Sequence, residues 1–416
     1  MSMFFGVVDT LPSDSADSRD LQAPSAPRKR VIWLQNSADH YFVQMLDALN
    51  AQGTVEYFVV FLCPPPAASC AADNYLRAIP HAFLGDPVVN AGPEGHRALG
   101  KAARDYIRHS SFSMAIVGGY DSRLKRWMIR YCHRRGLPIA LIADSNIRAE
   151  RGKSMGRRAR RWVKRLLLCR IIRKLSMVLP LNRSGVAYWR YYGCPVNKIS
   201  RSTYFCAVDV PAALALNREE LFARYKLPPG DKLIFTAARL VPAKALHLMV
   251  EAFTKSGLED QGWVWAVAGD GPLRQKLEKQ AGNLNGSAIR FLGAVAPIDI
   301  PALMAQSELF VLPSVYEPHG IVVQESLAVG TPVIAGNLCG AALDLVQAGQ
   351  NGWFFKAGSE ASLRSAIGCA VRDPTTLRAM RKRCRSDFGL WYGRYAPTIT
   401  IPAAFSQVAA PNRVGF

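Results

Sequence analysis

Residues 309–336, LFVLPSVYEPHGIVVQESLAVGTPVIAG, decide the architecture. LFVLPS (309–314) and PVIAG (332–336) are continuous apolar runs, and the segment between them turns into a helix at about Gly320. An uninterrupted apolar strand, a helix and a second such strand form a unit of a parallel sheet covered on both faces.

Working outward, LIFTAAR (233–239), WVWAVAG (263–269) and IRFLG (289–293) precede this unit, with the helical patterns LHLMVEAFTKSG and LRQKLEKQAG between them. An earlier series has the same texture. VIWL (31–34), VEYFVVFL (55–62), SMAIVGG (113–119), PIALIAD (138–144) and SMVLPLN (176–182) alternate with helical or polar segments. The reading is α/β, with two Rossmann-like doubly wound domains facing a cleft; in such sheets ligands bind beyond the carboxyl ends of the strands. The expected division is a Ser-, Asp- and Pro-rich disordered leader (1–29), an N-terminal domain (30–206), a linker (207–230), a C-terminal domain (231–385) and a last segment (386–416) returning to the N-terminal domain.

Composition limits the function classes. At 416 residues the chain exceeds what one core usually supports, and 50% hydrophobic with 20% charged residues excludes a largely disordered protein. A net charge of +21 calls for an anionic neighbour: nucleic acid, an anionic membrane leaflet or a phosphorylated substrate. The nine cysteines form no C-x-x-C pair, as expected of thiols in a reducing compartment. With no signal-peptide pattern and no run of about 20 apolar residues, the expected location is cytoplasmic, peripheral at the inner face of the membrane.

The chemistry concentrates in 314–330, where Glu317 falls in the strand-to-helix loop and Glu325 on the helix. A glycine at that turn lets the backbone approach a ligand, free N–H groups at the helix start can hold a diphosphate, and a carboxylate on the helix can accept from both ribose hydroxyls. Taken alone, the two acids read better as ordinary surface residues of an amphipathic helix, a reading that the neighbouring segments weaken. ARLVPAKALHLMVEAF (238–253) adds Arg239 at a strand end and Lys244 five residues on, two cations able to neutralise a departing diphosphate. AGDGPLRQKL (268–277) is a Gly-x-Gly turn with Pro272 at the helix start.

In order, R-L-V-P-x-K, G-D-G-P-L, F-L-G, L-P-S-x-x-E-P-x-G-I-V-x-x-E-S-L-A-x-G-T-P-V-I-A and N-G-W, spanning about 230–370, closely resemble the retaining glycosyltransferases of family four, which have the GT-B fold. Glu317 and Glu325 reproduce that family's E-x7-E motif. The resemblance implies that Arg239 and Lys244 hold the donor diphosphate, Glu325 the ribose, and Glu317 with the backbone of His319, Gly320 and Ile321 the transferred sugar; Gly271 and Val295 join the donor site. It also implies retention of anomeric configuration, by front-face substitution, and a nucleotide-sugar co-substrate with no cofactor and no metal. No Asp-x-Asp occurs in the chain. The departures are Ala237 or Ala238 and Ala245, where glycines are usual, and CGAALDLV (339–346) in place of G-G-x-x-E-x-V.

The N-terminal half matches less specifically, as a variable acceptor site would. His40, Tyr120, Asp121 and Asp144 are the candidate acceptor contacts, each equally readable as a cap or turn residue. Residues 151–175, RGKSMGRRARRWVKRLLLCRIIRKL, set Arg157, Arg161, Lys164 and Arg165 opposite Trp162, Val163, Leu166, Leu167, Ile171 and Ile172. Such a helix lies on an anionic membrane, or packs its apolar stripe on the N-terminal sheet. A lipid-linked or cell-envelope glycan is the leading acceptor. Rival readings are a nucleotide-sugar epimerase of the same fold and a nucleic-acid-binding protein; against the latter, only Trp162 interleaves with the basic patch.

Overall fold

The computed structural model describes residues 29–36, 40–62, 81–83, 93–150, 155–229, 232–283 and 288–409. The expected leader, apart from Lys29, lies outside them, as do 151–154 of the basic stretch and 410–416.

The first sheet contains β1 (Lys29–Gln35), β2 (Val55–Phe61), β3 (His81–Phe83), β4 (Met114–Gly118), β5 (Ile139–Ala143) and β6 (Met177–Pro180). Its helices are α1 (His40–Ala51), α2 (Pro93–His109), α3 (Arg123–Arg134), α4 (Met155–Ile172) and α5 (Arg183–Tyr191). The strands run parallel in the order β3-β2-β1-β4-β5-β6. The chain continues through α6 (Val210–Ala215) and α7 (Arg218–Arg224) into β7 (Lys232–Ala237), α8 (Leu246–Lys255), β8 (Trp263–Ala268), α9 (Arg274–Asn283), β9 (Ile289–Gly293), α10 (Asp299–Gln306) and β10 (Leu309–Leu312). It then forms α11 (Ile321–Val329), β11 (Val333–Gly336), α12 (Gly340–Leu345), β12 (Gly352–Phe355), α13 (Glu360–Val371), α14 (Pro374–Tyr395) and α15 (Pro397–Ala409). The second sheet is also parallel, in the order β12-β11-β10-β7-β8-β9.

Burial follows from the sequence texture. Every residue of β8 and β10 is buried, as a strand sandwiched between helices requires. Two edge strands carry no long apolar run: β3 has three residues, and β12, GWFF, begins with Gly352 close under the Val333 backbone of β11.

The stretch 207–230, expected as the linker, contains the two short helices α6 and α7. Asp209 and Asn217 cap α6 and α7 by accepting from Ala212 N and Glu219 N, and Ala213, Leu221, Phe222 and Leu227 are buried in the C-terminal core. Beyond α14, the last helix α15 places Ile401, Ala404 and Phe405 in the core of the N-terminal domain, where Phe405 packs on Tyr57 at 6.4 Å between ring centres. The chain therefore passes between the domains twice, before α6 and after α14.

The apolar residues of α4 divide between two environments. Ile171 and Ile172, with Leu168, are buried in the N-terminal domain, whereas Trp162 (67% exposed), Val163 (65%), Leu166 and Leu167 face outward. The single stripe read from the sequence is thus two arcs, of which only one belongs to the core. Among the described residues, no helix is long and apolar enough to cross a membrane.

Candidate functional site

Loops at the carboxyl ends of the two sheets meet across the cleft. Asn146 Nδ2 donates to Leu338 O (3.3 Å), Arg148 to Asn337 O (2.6 Å) and Asn182 Nδ2 to Pro318 O (3.0 Å). Arg201 pairs with the buried Asp344 at 2.8 Å and stacks on the Tyr395 ring. The loops after β5 and β6 are thereby fixed against those after β10 and β11.

On the C-terminal side the site is built around the start of α11. Gly320 is its N-cap, at φ +92°, and no side chain caps the helix. No side chain occupies the first N–H groups of α11, of which Val323 N bonds Gly320 O at 3.0 Å, and the helix dipole lies behind them. The preceding loop is tied to α12 through Gly340 N to Glu317 O (3.0 Å) and Ala341 N to His319 O (2.7 Å), and to the loop after β7 through Val315 N to Ala243 O (3.0 Å). A Cβ at residue 320 would lie 2.9 Å from Cys339 Sγ and 3.0 Å from Glu317 Cγ, on a backbone that other residues rarely adopt. Gly320→Ala is expected to cost about 1–3 kcal/mol, read as a lower denaturation midpoint in urea; an unchanged midpoint would mean that this loop is not held as tightly as its contacts indicate.

The predicted donor residues are placed as follows. Lys244 Nζ forms an ion pair with Glu317, both side chains being partly accessible, and Ser314 Oγ lies 3.5 Å from the same carboxylate. Arg239 is exposed at the end of β7. Gly271 belongs to a turn pressed against Leu240, where a side chain would meet the Leu240 carbonyl at 2.7 Å. Ile321 opens α11, and Val295 leans on the C-terminal core. Glu325, one turn into α11, is 5% exposed; its carboxyl accepts from the Tyr41 hydroxyl, its Oε2 has no partner, and burial raises its pKa to about 7.

His319 is buried, and its pKa falls to about 3 through burial first and the Arg201 charge second, so the imidazole is neutral. Gln324 Nε2 donates to Thr203 Oγ1 at 2.7 Å and lies 2.6 Å from His319 Nε2. His319 Nδ1, Gln324 Oε1 and Glu325 Oε2 are all buried without partners. Three buried polar atoms without partners thus fall within seven residues at one helix start.

On the N-terminal side, a cavity of about 280 Å³ opens at the carboxyl ends of β1, β4 and β5. Asp121 and Asp144 line it, with Trp33, Tyr41, Lys125 and Tyr204. Lys125 is buried and bonds Asp121 at 2.8 Å, which lowers the Asp121 pKa against the opposing effect of burial. Asp144 sits 3.5 Å from the Tyr204 hydroxyl; the surrounding protein raises its pKa, and the Glu317 charge across the cleft adds to the rise. Tyr120, between Gly119 and Asp121, has its hydroxyl 2.7 Å from that of Tyr188 and its ring edge-on to Trp189, packed against the N-terminal core. His40 begins α1, and its side chain lies outside the described residues. Lys125, Tyr41 and Thr203 carry no sequence signal, since each acquires its place only when distant loops meet.

Residues 217–387 match the family described as Glycosyl transferases group 1. The chain is similar to glycogen synthase of Mycobacterium tuberculosis, with 31% identity over 172 residues, covering 40% of this chain and 41% of that protein. It is also similar to alpha-monoglucosyldiacylglycerol synthase of Streptococcus pneumoniae, with 32% identity over 120 residues, 29% of this chain and 27% of that protein. The chain therefore spans less than half the length of these curated relatives. Anabaena HepE, solved in complex with UDP and glucose, superposes with a TM-score of 0.67 at 16% identity, over 91% of this chain and 99% of that one. The shared architecture is the two-domain GT-B fold.

Proposed function

We propose that this chain is a retaining glycosyltransferase that moves a sugar from a nucleotide-sugar donor to a lipid-linked or glycan acceptor in cell-envelope synthesis. The observation that carries the reading is the Lys244–Glu317 pair beside the uncapped start of α11, with Glu325 one turn further on. Relatives of the matched segment include a glycogen synthase and a glycolipid synthase, which supports both acceptor classes.

In this scheme, Arg239, Lys244 and the α11 N–H groups take the diphosphate, on which negative charge grows as the glycosidic bond breaks. Glu325 accepts from the ribose hydroxyls, while Glu317 and the backbone at His319–Ile321 hold the sugar. The acceptor enters from the N-terminal cavity past Asp121 and Asp144. The bond from the anomeric carbon to the phosphate oxygen breaks, the acceptor oxygen bonds that carbon on the same face, and its proton passes to the departing phosphate. Position and fixed charge supply the catalysis, without a metal or cofactor.

The acceptor is met at an anionic membrane surface, through the outward arc of α4. Trp162 and Leu166, and Val163 and Leu167, are pairs four residues apart, exposed on the same helix as the exposed Arg165 and Arg170. Such a face sinks into the headgroup boundary while its cations meet lipid phosphates. The double change Trp162→Glu and Leu166→Glu is expected to weaken binding to phosphatidylglycerol vesicles by roughly tenfold or more in co-sedimentation. Unchanged partitioning would remove the membrane from the scheme.

The function is tested by incubating the protein with UDP-, GDP-, ADP- and dTDP-sugars and an envelope lipid extract, following the released nucleoside diphosphate and the new glycosidic linkage by mass spectrometry and NMR. One donor should be consumed to an α-linked product from an α-linked donor. Interconversion of the sugar while still nucleotide-linked, or no turnover of any donor, would contradict the proposal.

A further inference from the structure

Glu325 does not await a ligand unattended. Tyr41 is the second residue of α1, at the carboxyl edge of β1 in the N-terminal domain, and its ring helps to line the N-terminal cavity. Its hydroxyl nevertheless reaches the Glu325 carboxyl on α11 of the opposite domain. The other carboxyl oxygen, Oε2, is buried without a partner.

A carboxylate that grips a ribose accepts from two neighbouring hydroxyls, one at each oxygen, and each oxygen must be open to approach. Here one oxygen is engaged by a phenol, and only 5% of the residue is exposed. A carboxylate oxygen can accept a second bond, so Tyr41 opposes a ribose by covering a carboxyl that is already buried, not by using up its lone pairs. We infer that Tyr41 is a donor-site residue supplied by the N-terminal domain, which holds Glu325 while the ribose site is empty and is displaced when a ribose binds. This rests on the donor site proposed above and adds to it a residue from the other domain.

The inference fixes the sign of a substitution. Tyr41→Phe keeps the ring against the cavity wall and deletes the hydroxyl with which a ribose competes. The affinity for a ribonucleotide should rise roughly fivefold, the worth of one ordinary hydrogen bond. The experiment is calorimetric titration of UDP, GDP and ADP into the full chain and into Tyr41→Phe, repeated with the 2′,3′-dideoxy form of whichever nucleotide binds. Tighter binding of the ribonucleotide with no gain for the dideoxy form is the expected result. Unchanged or weaker ribonucleotide binding overturns the inference, because Tyr41 would then be neutral or a direct contact. An equal gain for the dideoxy form also overturns it, because the substitution would then have loosened the cleft as a whole. If the unaltered chain binds none of the three, the donor site itself is wrong and the inference falls with it. A chain that binds nucleotide but does not tighten on Tyr41→Phe refutes this inference alone.

Discussion

At pH 8, Glu325→Gln should unfold at a higher temperature than the unaltered protein and lose its stabilisation by nucleotide. The folded environment raises the Glu325 pKa from 4.5 to about 7, through burial first and against the hydrogen bond from Tyr41. The fold therefore favours the neutral carboxyl. This contribution to stability is complete below pH 4.5, declines as the pH rises and is gone above pH 7, at a cost on the order of 3 kcal/mol. Glutamine is neutral throughout, so the two proteins should melt alike near pH 4.5 and diverge toward pH 8. Ionisation is what makes the carboxyl a strong acceptor for ribose hydroxyls, so nucleotide affinity of the unaltered protein should rise from pH 6 to pH 8 and stay flat in the variant. Melting curves that run parallel across this range would show that Glu325 ionises as an ordinary surface acid. Cys206 does not interfere, because burial first and the Glu325 charge second raise its pKa, which keeps the thiol protonated throughout this range.

Lys244→Ala should lower kcat/KM by about 10³-fold, mostly through kcat, because the ammonium acts on charge that appears as the diphosphate departs. Its present partner is Glu317, and both side chains are only partly accessible, at 21% and 13%. The same charge works harder there than in open solvent. Arg239 is exposed, so Arg239→Ala should cost roughly tenfold and lose much of that effect in high salt. Steady-state kinetics with saturating acceptor separate the two. Equal and salt-insensitive losses would mean that the cations hold the fold together and do not face a leaving group.

The strands were legible because a parallel sheet buried on both faces must be written in uninterrupted apolar runs, as in WVWAVAG and LFVLPS. Edge strands β3 and β12 escaped because pairing on one side tolerates short or glycine-led segments. The 207–230 stretch is punctuated by proline, yet Leu221 and Phe222 pull its helices into the C-terminal core, a tertiary preference that local composition does not display.

The residues proposed for the donor stand close in sequence. Lys244, Glu317, His319, Gly320 and Glu325 come from two contiguous segments, whose loops are bonded through Val315 and Ala243. The N-terminal cavity, the proposed entry for the acceptor, is assembled from β1, β4, β5 and the segment at 203–205, so no local spacing announces it. Tyr120 illustrates this, since its contact with Tyr188 depends on α5, which is distant in sequence. The basic helix was legible in composition but not in its division, because periodicity alone cannot tell an apolar residue facing a core from one facing water.

The most direct measurement is a crystal structure of the chain with a hydrolysis-resistant nucleotide sugar. The account predicts the diphosphate at the α11 N–H groups and Lys244, the ribose hydroxyls on Glu325, and the sugar against Glu317 and His319. A nucleotide found in the N-terminal cavity, or one that leaves Lys244 and Glu325 untouched, would contradict it.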